Sequence, residues 1–380
     1  MSYTSILGKI HSVFAAVSVK IILIISVLGL TQVYAQDTAK TRVGPLTFSG
    51  YIETYYSYDF ADPSNHERPS FFYSFNRHNE VNLNLGFIKA NYNKENVRSN
   101  FALMGGTYAQ YNLASEQGLL RNIFEANAGV KISKTKNIWL DAGIMPSHIG
   151  FESAISKDCW NLTRSILADN TPYYESGIKL GYTSKNEKMY LAVMYLNGWQ
   201  RIRRRDFNQT PAFGTQLTYK TNSGSTLNWS TYIGNEQPDT LKKWRYFNNF
   251  FAQFKPTDKF GLTIGFDIGM QQARDSLNEL DGIALWYSPV IILRYSPTPK
   301  TRIAARAEYY SDETGIIIST STPNGFQTIG YSLNFDYLAS DNMMFRMEGR
   351  ALNSKDEIFI KDNKPNKQNY FFTTSIGISF

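Results

Sequence analysis

NYFFTTSIGISF, residues Asn369–Phe380, is the stretch on which the fold turns. Read with period two, it places Tyr370, Phe372, Thr374, Ile376, Ile378 and Phe380 on one face. Asn369, Phe371, Thr373, Ser375, Gly377 and Ser379 fall on the other. A water-soluble sheet buries its apolar face in a core, whereas a transmembrane barrel turns that face to lipid and points the small, polar one into the lumen. A terminal aromatic suits the closing strand of such a barrel, where it sits in the interfacial girdle.

The same strand recurs from Thr47 onward. Segments of about 10–13 residues, the length a tilted membrane strand requires, alternate between tight turns and longer polar connections. Tight turns are predicted at Asn93–Asn96, Lys134–Asn137, Ser184–Glu187, Thr221–Gly224, Pro256–Asp258, Ser296–Lys300 and Ala339–Asp341. Longer segments lie near 60–76, 110–121, 147–171, 200–210, 235–244, 273–282, 312–325 and 354–368. Seven short and eight long connections in strict alternation predict an all-β chain. Its expected form is a transmembrane antiparallel β-barrel of about 16 strands (range about 14–18), with short periplasmic turns and long extracellular loops. A sandwich has no reason to alternate loop length in this way.

The faces are predicted strand by strand. Val81, Leu83, Leu85 and Phe87 point outward against Glu80, Asn82, Asn84 and Gly86, and Phe124, Ala126, Ala128, Val130 and Ile132 against Glu125, Asn127, Gly129 and Lys131. The pattern repeats with Leu227, Trp229, Thr231 and Ile233, with Ile303, Ala305, Ala307 and Tyr309, and with Phe345, Met347, Gly349 and Ala351. Tyr58, Tyr92, Tyr182, Tyr219, Phe254, Tyr295 and Tyr337 fall near strand ends, where aromatic girdles belong. The 25 Tyr, 25 Phe and 6 Trp, at a mean hydropathy of −0.33, suit a barrel in which only alternate residues meet lipid.

Residues 1–35 read as a cleaved signal peptide. Lys9 and Lys20 supply charge, Ile21–Leu30 is the apolar region, and Val33-Tyr34-Ala35 places small residues before a cut at Gln36. Residues 36–46 form a short periplasmic segment with no room for a plug, and 47–380 the barrel. A barrel of about this size leaves an aqueous channel. The expected location is the outer membrane. The expected partners are its lipid and lipopolysaccharide, small solutes, and the barrel-assembly machinery through the Phe380 strand; a homotrimer is the assembly open to a barrel of this size.

Formal charge falls from +7 to +5 once Lys9 and Lys20 leave, too small and too spread an excess to argue for nucleic acid. One cysteine, Cys159, excludes a disulfide scaffold or thiolate metal cluster and reads as a masked thiol. The mature chain carries three histidines, His66, His78 and His148, and neither HExxH nor GxSxG. Ser147 and His148 are adjacent, and on a strand would face opposite ways, which is poor relay geometry. No catalytic residue, metal or cofactor is expected.

The third long segment, 147–171, is not merely polar: Ile149, Phe151, Ile155, Trp160, Leu162, Ile166 and Leu167 need somewhere to pack. It is expected to fold into the lumen or over its mouth, narrowing the pore with Glu152, Lys157, Asp158, Arg164 and Asp169; a flap packed on neighbouring loops is the alternative. Arg302, Arg306 and Glu308, then Arg346, Glu348 and Arg350, are expected to face the lumen. With arginine in excess they suggest a mild anion preference, unless they neutralise one another as a structural ladder. Arg201, Arg203, Arg204 and Arg205 form the densest basic cluster, read as a solvated loop or as a vestibule that draws in anions.

Four segments carry a family resemblance: Ser49-Gly50-Tyr51-Ile52-Glu53-Thr54-Tyr55-Tyr56, Pro146–Glu152 (PSHIGFE), Pro172–Gly177 (PYYESG) and Asn197-Gly198-Trp199-Gln200. Together they resemble the OmpL-like β-barrel porins of Gram-negative bacteria, over essentially the whole mature chain. The resemblance implies an outer-membrane porin fold passing small solutes by diffusion, with no catalytic residues. A ligand-binding or adhesion barrel working through its loops is the second expectation.

Overall fold

The computed structural model describes residues 42–274 and 280–380. The expected signal peptide, its expected cleavage site and residues 36–41 lie outside them, as do residues 275–279. Sixteen long antiparallel strands form one closed barrel. They are β1 (Leu46–Asp59), β2 (Val81–Lys94), β3 (Val97–Gly105), β4 (Ile123–Lys131), β5 (Asn137–Pro146), β6 (Tyr174–Thr183), β7 (Met189–Leu196) and β8 (Ala212–Lys220). There follow β9 (Thr226–Asn235), β10 (Trp244–Phe254), β11 (Phe260–Arg274), β12 (Leu280–Thr298), β13 (Thr301–Asp312), β14 (Phe326–Ser340), β15 (Met343–Ser354) and β16 (Gln368–Ser379). Each pairs with its sequence neighbours, so no crossover is needed and no edge is left open.

The seam is made by the stretch that opened the sequence reading. β16 pairs with β1 from Phe371 opposite Asp59 to Ser379 opposite Tyr51. Beyond it, Phe380 N–H donates to the Gly50 carbonyl (3.0 Å) and Gly50 N–H to the Phe380 carbonyl (2.7 Å). The two faces of β16 fall as alternation predicted: Asn369, Phe371, Thr373, Ser375 and Gly377 are buried, while Tyr370, Ile378 and Phe380 are exposed.

All seven tight turns join strands at one end of the barrel. The connections at the other end are numbered here L1 to L8 in chain order; L3 spans 147–173 between β5 and β6. The sixth is shorter than expected, because β11 covers 273–274 and β12 covers 280–282 of the segment 273–282. At 15 and 19 residues these strands also exceed the span the membrane asks for. The outer surface is apolar, with Leu293 56% and Leu333 62% exposed, the inverse of a soluble sheet. Tyr219, Phe254, Tyr295 and Tyr337 are exposed near the turn ends of their strands and form one girdle.

Two face assignments are corrected. Phe124, expected outside, stacks on the inward Phe87 (centroids 4.7 Å) where the β3–β4 register passes from Ala102–Glu125 to Leu103–Ile123 and skips it. The other lies on β2. Leu85 and Phe87 are buried inside the barrel and Ile88 is exposed outside, whereas strict alternation from Val81 sends Leu85 and Phe87 to lipid. The register between β1 and β2 slips at this point: Glu53 lies opposite Leu85, and the next residue, Thr54, opposite Leu83. Asn84 is the extra residue of a bulge, and a bulge flips every side chain beyond it.

Candidate pore constriction

L3 leaves β5 after Pro146 and turns inward at once. His148 is fixed there by two acceptors, the Glu175 carboxylate on β6 (Nδ1–Oε2, 2.8 Å) and the Thr231 carbonyl on β9 (Nε2–O, 2.8 Å). Burial acts to strip the imidazole of its proton, but the Glu175 charge overrides it and holds the His148 pKa above its ordinary value. Gly150 N–H then donates to Asn249 Oδ1 on β10 (3.1 Å).

Inward glycines on the wall seat the rings of L3. A Cβ at Gly214 would meet His148 Nε2 at 2.7 Å, one at Gly265 would meet Phe151 Cε1 at 2.5 Å, and one at Gly261 would meet Trp160 Cη2 at 2.5 Å. Gly261, Gly265 and Gly269 lie four apart on one face of β11, and Gly269 gives the same room to Trp286 of β12.

The middle of L3 is tied to β1 and β13–β16. Ser156 Oγ donates to Glu53 on β1 and lies 3.1 Å from Tyr51 Oη. Leu162 N–H donates to Asn334 Oδ1 (3.0 Å), Thr163 N–H to Glu348 Oε2 (2.6 Å) and Ile166 N–H to Glu308 Oε2 (2.6 Å). In return Arg306 donates to the Thr163 carbonyl (2.7 Å), Arg350 to the Arg164 carbonyl (2.8 Å), and Arg346 to the carbonyls of Ser156, Cys159 and Trp160. The charges are also paired among themselves: Arg306 with Glu348 (2.9 Å), Arg350 with Glu308 (2.5 Å) and Arg346 with Asp336 (2.7 Å). These wall residues sit near the middle of their strands, so L3 is held inside the barrel rather than across its rim.

This placement separates the charged residues named from sequence. Arg306, Glu308, Arg346, Glu348 and Arg350 are buried under L3 and form a clamp with as many carboxylates as arginines once Asp336 is counted. They do not line water, and the arginine excess inferred from sequence disappears; Arg302 alone of the six is half-buried. Within L3, Glu152 is buried, accepts the Ser165 N–H (3.0 Å) and hydroxyl, and lies 3.8 Å from Arg306. Burial raises its pKa against the pull of Arg306. Arg164 is spent on L3's own carbonyls, Ser153 (2.6 Å), Leu162 (2.6 Å) and Ala154 (3.0 Å). Burial pushes the buried Asp169 up to about 7, with Arg164 and Arg350 opposing. Lys157 reaches Ser379 Oγ (2.6 Å) and the Asp341 carbonyl (3.1 Å), and Asp158 is exposed. Of the five, only Lys157 and Asp158 are not buried.

In L4, Arg203 pairs with Asp206 (2.7 Å) and Gln117 (2.7 Å), Arg204 donates to the Gln209 carbonyl (2.8 Å), and Arg205 to the Glu236 carbonyl (2.9 Å). That is a surface network knitting L4 to L2 and L5. Arg201 stands apart from it and lines a cavity at the loop-end mouth.

Sequence reading passed over three participants. Asp336 completes the clamp, and the inward Ser332, Asn334, Asp336 alternation on β14 was its signal. Glu53 gathers Ser156, Ser375 (3.1 Å) and Asn84 (2.9 Å). L1 also folds inward, with Phe71, Phe72 and Phe75 buried and Arg68 stacked 3.6 Å over the Phe371 ring; the aromatic run SFFYSF at 70–75 marks it.

Toward the turn end, polar side chains of the β2–β5 wall pair with one another: Lys89 with Glu125 (2.5 Å), Arg98 with Asp141 (2.6 Å) and Asn100 with Asn127 (2.9 Å). Among the described residues no group of three His, Cys, Asp or Glu side chains could hold a metal ion.

The four segments that carried the resemblance converge on L3. Tyr51 and Glu53 hold Ser156, His148 and Glu175 join PSHIGFE to PYYESG, and Gln200 Oε1 accepts the Tyr173 N–H (2.8 Å). Solved structures share the fold at low identity. The anion-selective porin from Comamonas acidovorans matches with a TM-score of 0.56 at 10% identity, covering 88% of this chain and 99% of that one. The outer membrane channel DcaP of Acinetobacter baumannii matches at 0.58 and 10%, covering 88% and 97%. OmpT, an outer membrane protein of Vibrio cholerae, matches at 0.54 and 10%, covering 90% and 100%. Among curated proteins none matches the sequence. Family and fold are those of an outer-membrane channel rather than an enzyme. Residues 45–380 match the family described as "Putative beta-barrel porin-2, OmpL-like", and the chain belongs to it.

Proposed function

We propose that this barrel is a passive diffusion channel for small hydrophilic solutes or ions, with its short turns in the periplasm, its loops outside the cell, and L3 setting the bore. The observation that carries this reading is the one-sided docking of L3. Its hydrogen bonds at mid-height go to β1, β9, β10 and β13–β16. On β2–β5 it makes apolar contact only, Ala154 clustering with Leu85, Phe87, Met104 and Ile144, and turn-ward of these the polar side chains of that wall bond one another. The path runs between the two. Movement along it is electrodiffusion, biased by the fixed charges that water reaches: Arg302 and Arg294 on the inner wall, half-buried, with Lys157 and Asp158 on L3. Their balance is positive and supports a mild anion preference. A homotrimer is the assembly we expect, and crosslinking in the membrane reads it directly.

Single-channel conductance in a planar bilayer, with reversal potential in a salt gradient, tests the reading. Steady ohmic steps with an anion-selective reversal potential are expected. Ohmic steps that select cations would remove the preference and leave the channel. A heat-modifiable, inserted barrel that gives no steps would overturn it. The buried aromatics of L1 and of the loop-end lumen, Phe71, Phe72, Phe247, Trp286 and Phe326, would then favour a closed barrel that binds ligands through its loops.

A further inference from the structure

We propose that the turn-end side of L3 holds a binding site for a compact dianionic oxyanion of the phosphate class, made by Arg294 on β12, Arg302 on β13 and the indole of Trp160 on L3. The proposal rests on the channel reading, in which solutes move past this point, and adds the class of anion held there. Arg294 lies opposite Ala304, and Arg302 stands two residues from Ala304 on the same inward row. Long side chains placed diagonally on neighbouring strands share one patch of wall. Both arginines lie turn-ward of the clamp: Arg302 is the second residue of β13, and Arg306 is four residues further in.

Their donors set them apart from the clamped arginines. Among the described residues neither Arg302 nor the two Nη atoms of Arg294 has a hydrogen-bond or ion-pair partner, and these atoms reach open space, since of the two guanidiniums only Arg294 Nε is sealed from it. Trp160 adds a third open donor: the residue is 9% exposed, and its Nε1 has no acceptor among the described residues and is not sealed. The Arg294 guanidinium stacks on that indole, its Cζ 4.5 Å from the ring centroid, which fixes the plane of its fork. The charges that act on Arg294 are Arg302 and Asp336, and Asp336 has both oxygens on Arg346 (2.7 and 3.1 Å). Two like charges therefore face the lumen with no carboxylate of their own, and they repel each other. A dianion answers both, and each planar fork grips two oxygens of a tetrahedral oxyanion side by side. Chloride brings one charge and no such pair of oxygens. A neutral solute would leave the repulsion as it is.

Equilibrium dialysis of radiolabelled inorganic phosphate in chloride buffer, against the barrel purified from outer membranes in detergent, tests this without requiring conduction. Saturable phosphate binding is expected. Arg294→Gln and Arg302→Gln should each weaken it about tenfold or more, and Arg302→Lys, which keeps the charge but not the fork, should weaken it as well. Arg201→Gln, at the opposite mouth, should not. All four variants are expected to keep heat-modifiable migration; should one not fold, block of the wild-type chloride current by phosphate serves in its place. No saturable phosphate binding, full binding by Arg302→Lys, or an equal loss from Arg201→Gln overturns the proposal, the last two because they would reduce the effect to overall charge. Anion-selective ohmic steps without phosphate binding would sink the site and spare the channel, and phosphate binding without steps would do the reverse.

Discussion

Glu308 on β13 accepts the backbone N–H of Ile166 at 2.6 Å while its other oxygen takes Arg350 at 2.5 Å, so one carboxylate fastens both the loop and its neighbour in the wall. Glu308→Ala leaves Arg350 and Arg306 buried without that charge, at a cost of about 3–5 kcal/mol. The expected result is a lower midpoint of heat modification and a larger, noisier conductance. Cys159 reports the same event, since burial pushes its thiol up to about 11 and masks it. Maleimide should leave the native barrel unlabelled and label the variant.

Gly265→Val puts side-chain atoms where Phe151 sits, because even a Cβ there falls 2.5 Å from the ring. Overpacking of this kind costs about 1–3 kcal/mol. L3 should shift while the strands stay paired, so conductance changes and β-sheet circular dichroism does not. An unchanged conductance would mean that L3 does not set the bore.

Docking of L3 should weaken as pH rises. Asp169 is raised to about 7 from 3.8, so its contribution is full below about 4 and is lost as pH climbs through 7. Glu152 and His148 are raised as well and act in the same direction. The midpoint of heat modification should therefore fall as pH rises from about 4 to about 7, the window between the ordinary and the raised Asp169 values. Asp169→Asn should flatten that fall, leaving the residue of it to Glu152 and His148.

Arg302 and Arg306 look alike in sequence and should behave differently. Arg302→Gln removes a half-buried charge and should move the reversal potential toward cations while leaving stability within about 0.5 kcal/mol. Arg306→Gln breaks the pair with Glu348 at 2.9 Å and should destabilise the barrel by about 3 kcal/mol or more. Equal effects of the two on selectivity would refute the clamp.

Strand number and facing were legible in the sequence because lipid enforces alternation along every strand. L3 was legible too, since Ile149, Trp160 and Leu167 are too apolar for a solvated loop. The division of its charges was not. An inward arginine looks the same whether it meets water or a loop carbonyl, and only the path of L3 decides that Arg346 is clamped while Arg302 is half-buried. The flip at Asn84 was hidden for a related reason: a polar residue on a polar face gives no sign of a bulge until the register of its partner strand is known.

Gly261 and Gly265 give the channel's diameter a second address. Two rings of L3, Trp160 and Phe151, come to rest at a depth fixed by two positions that hold no side chain, about a hundred residues further along the chain. Loop and wall are lock and key within one molecule. An L3 grafted into another barrel will not reproduce its own aperture unless the bare strip of β11 is grafted with it.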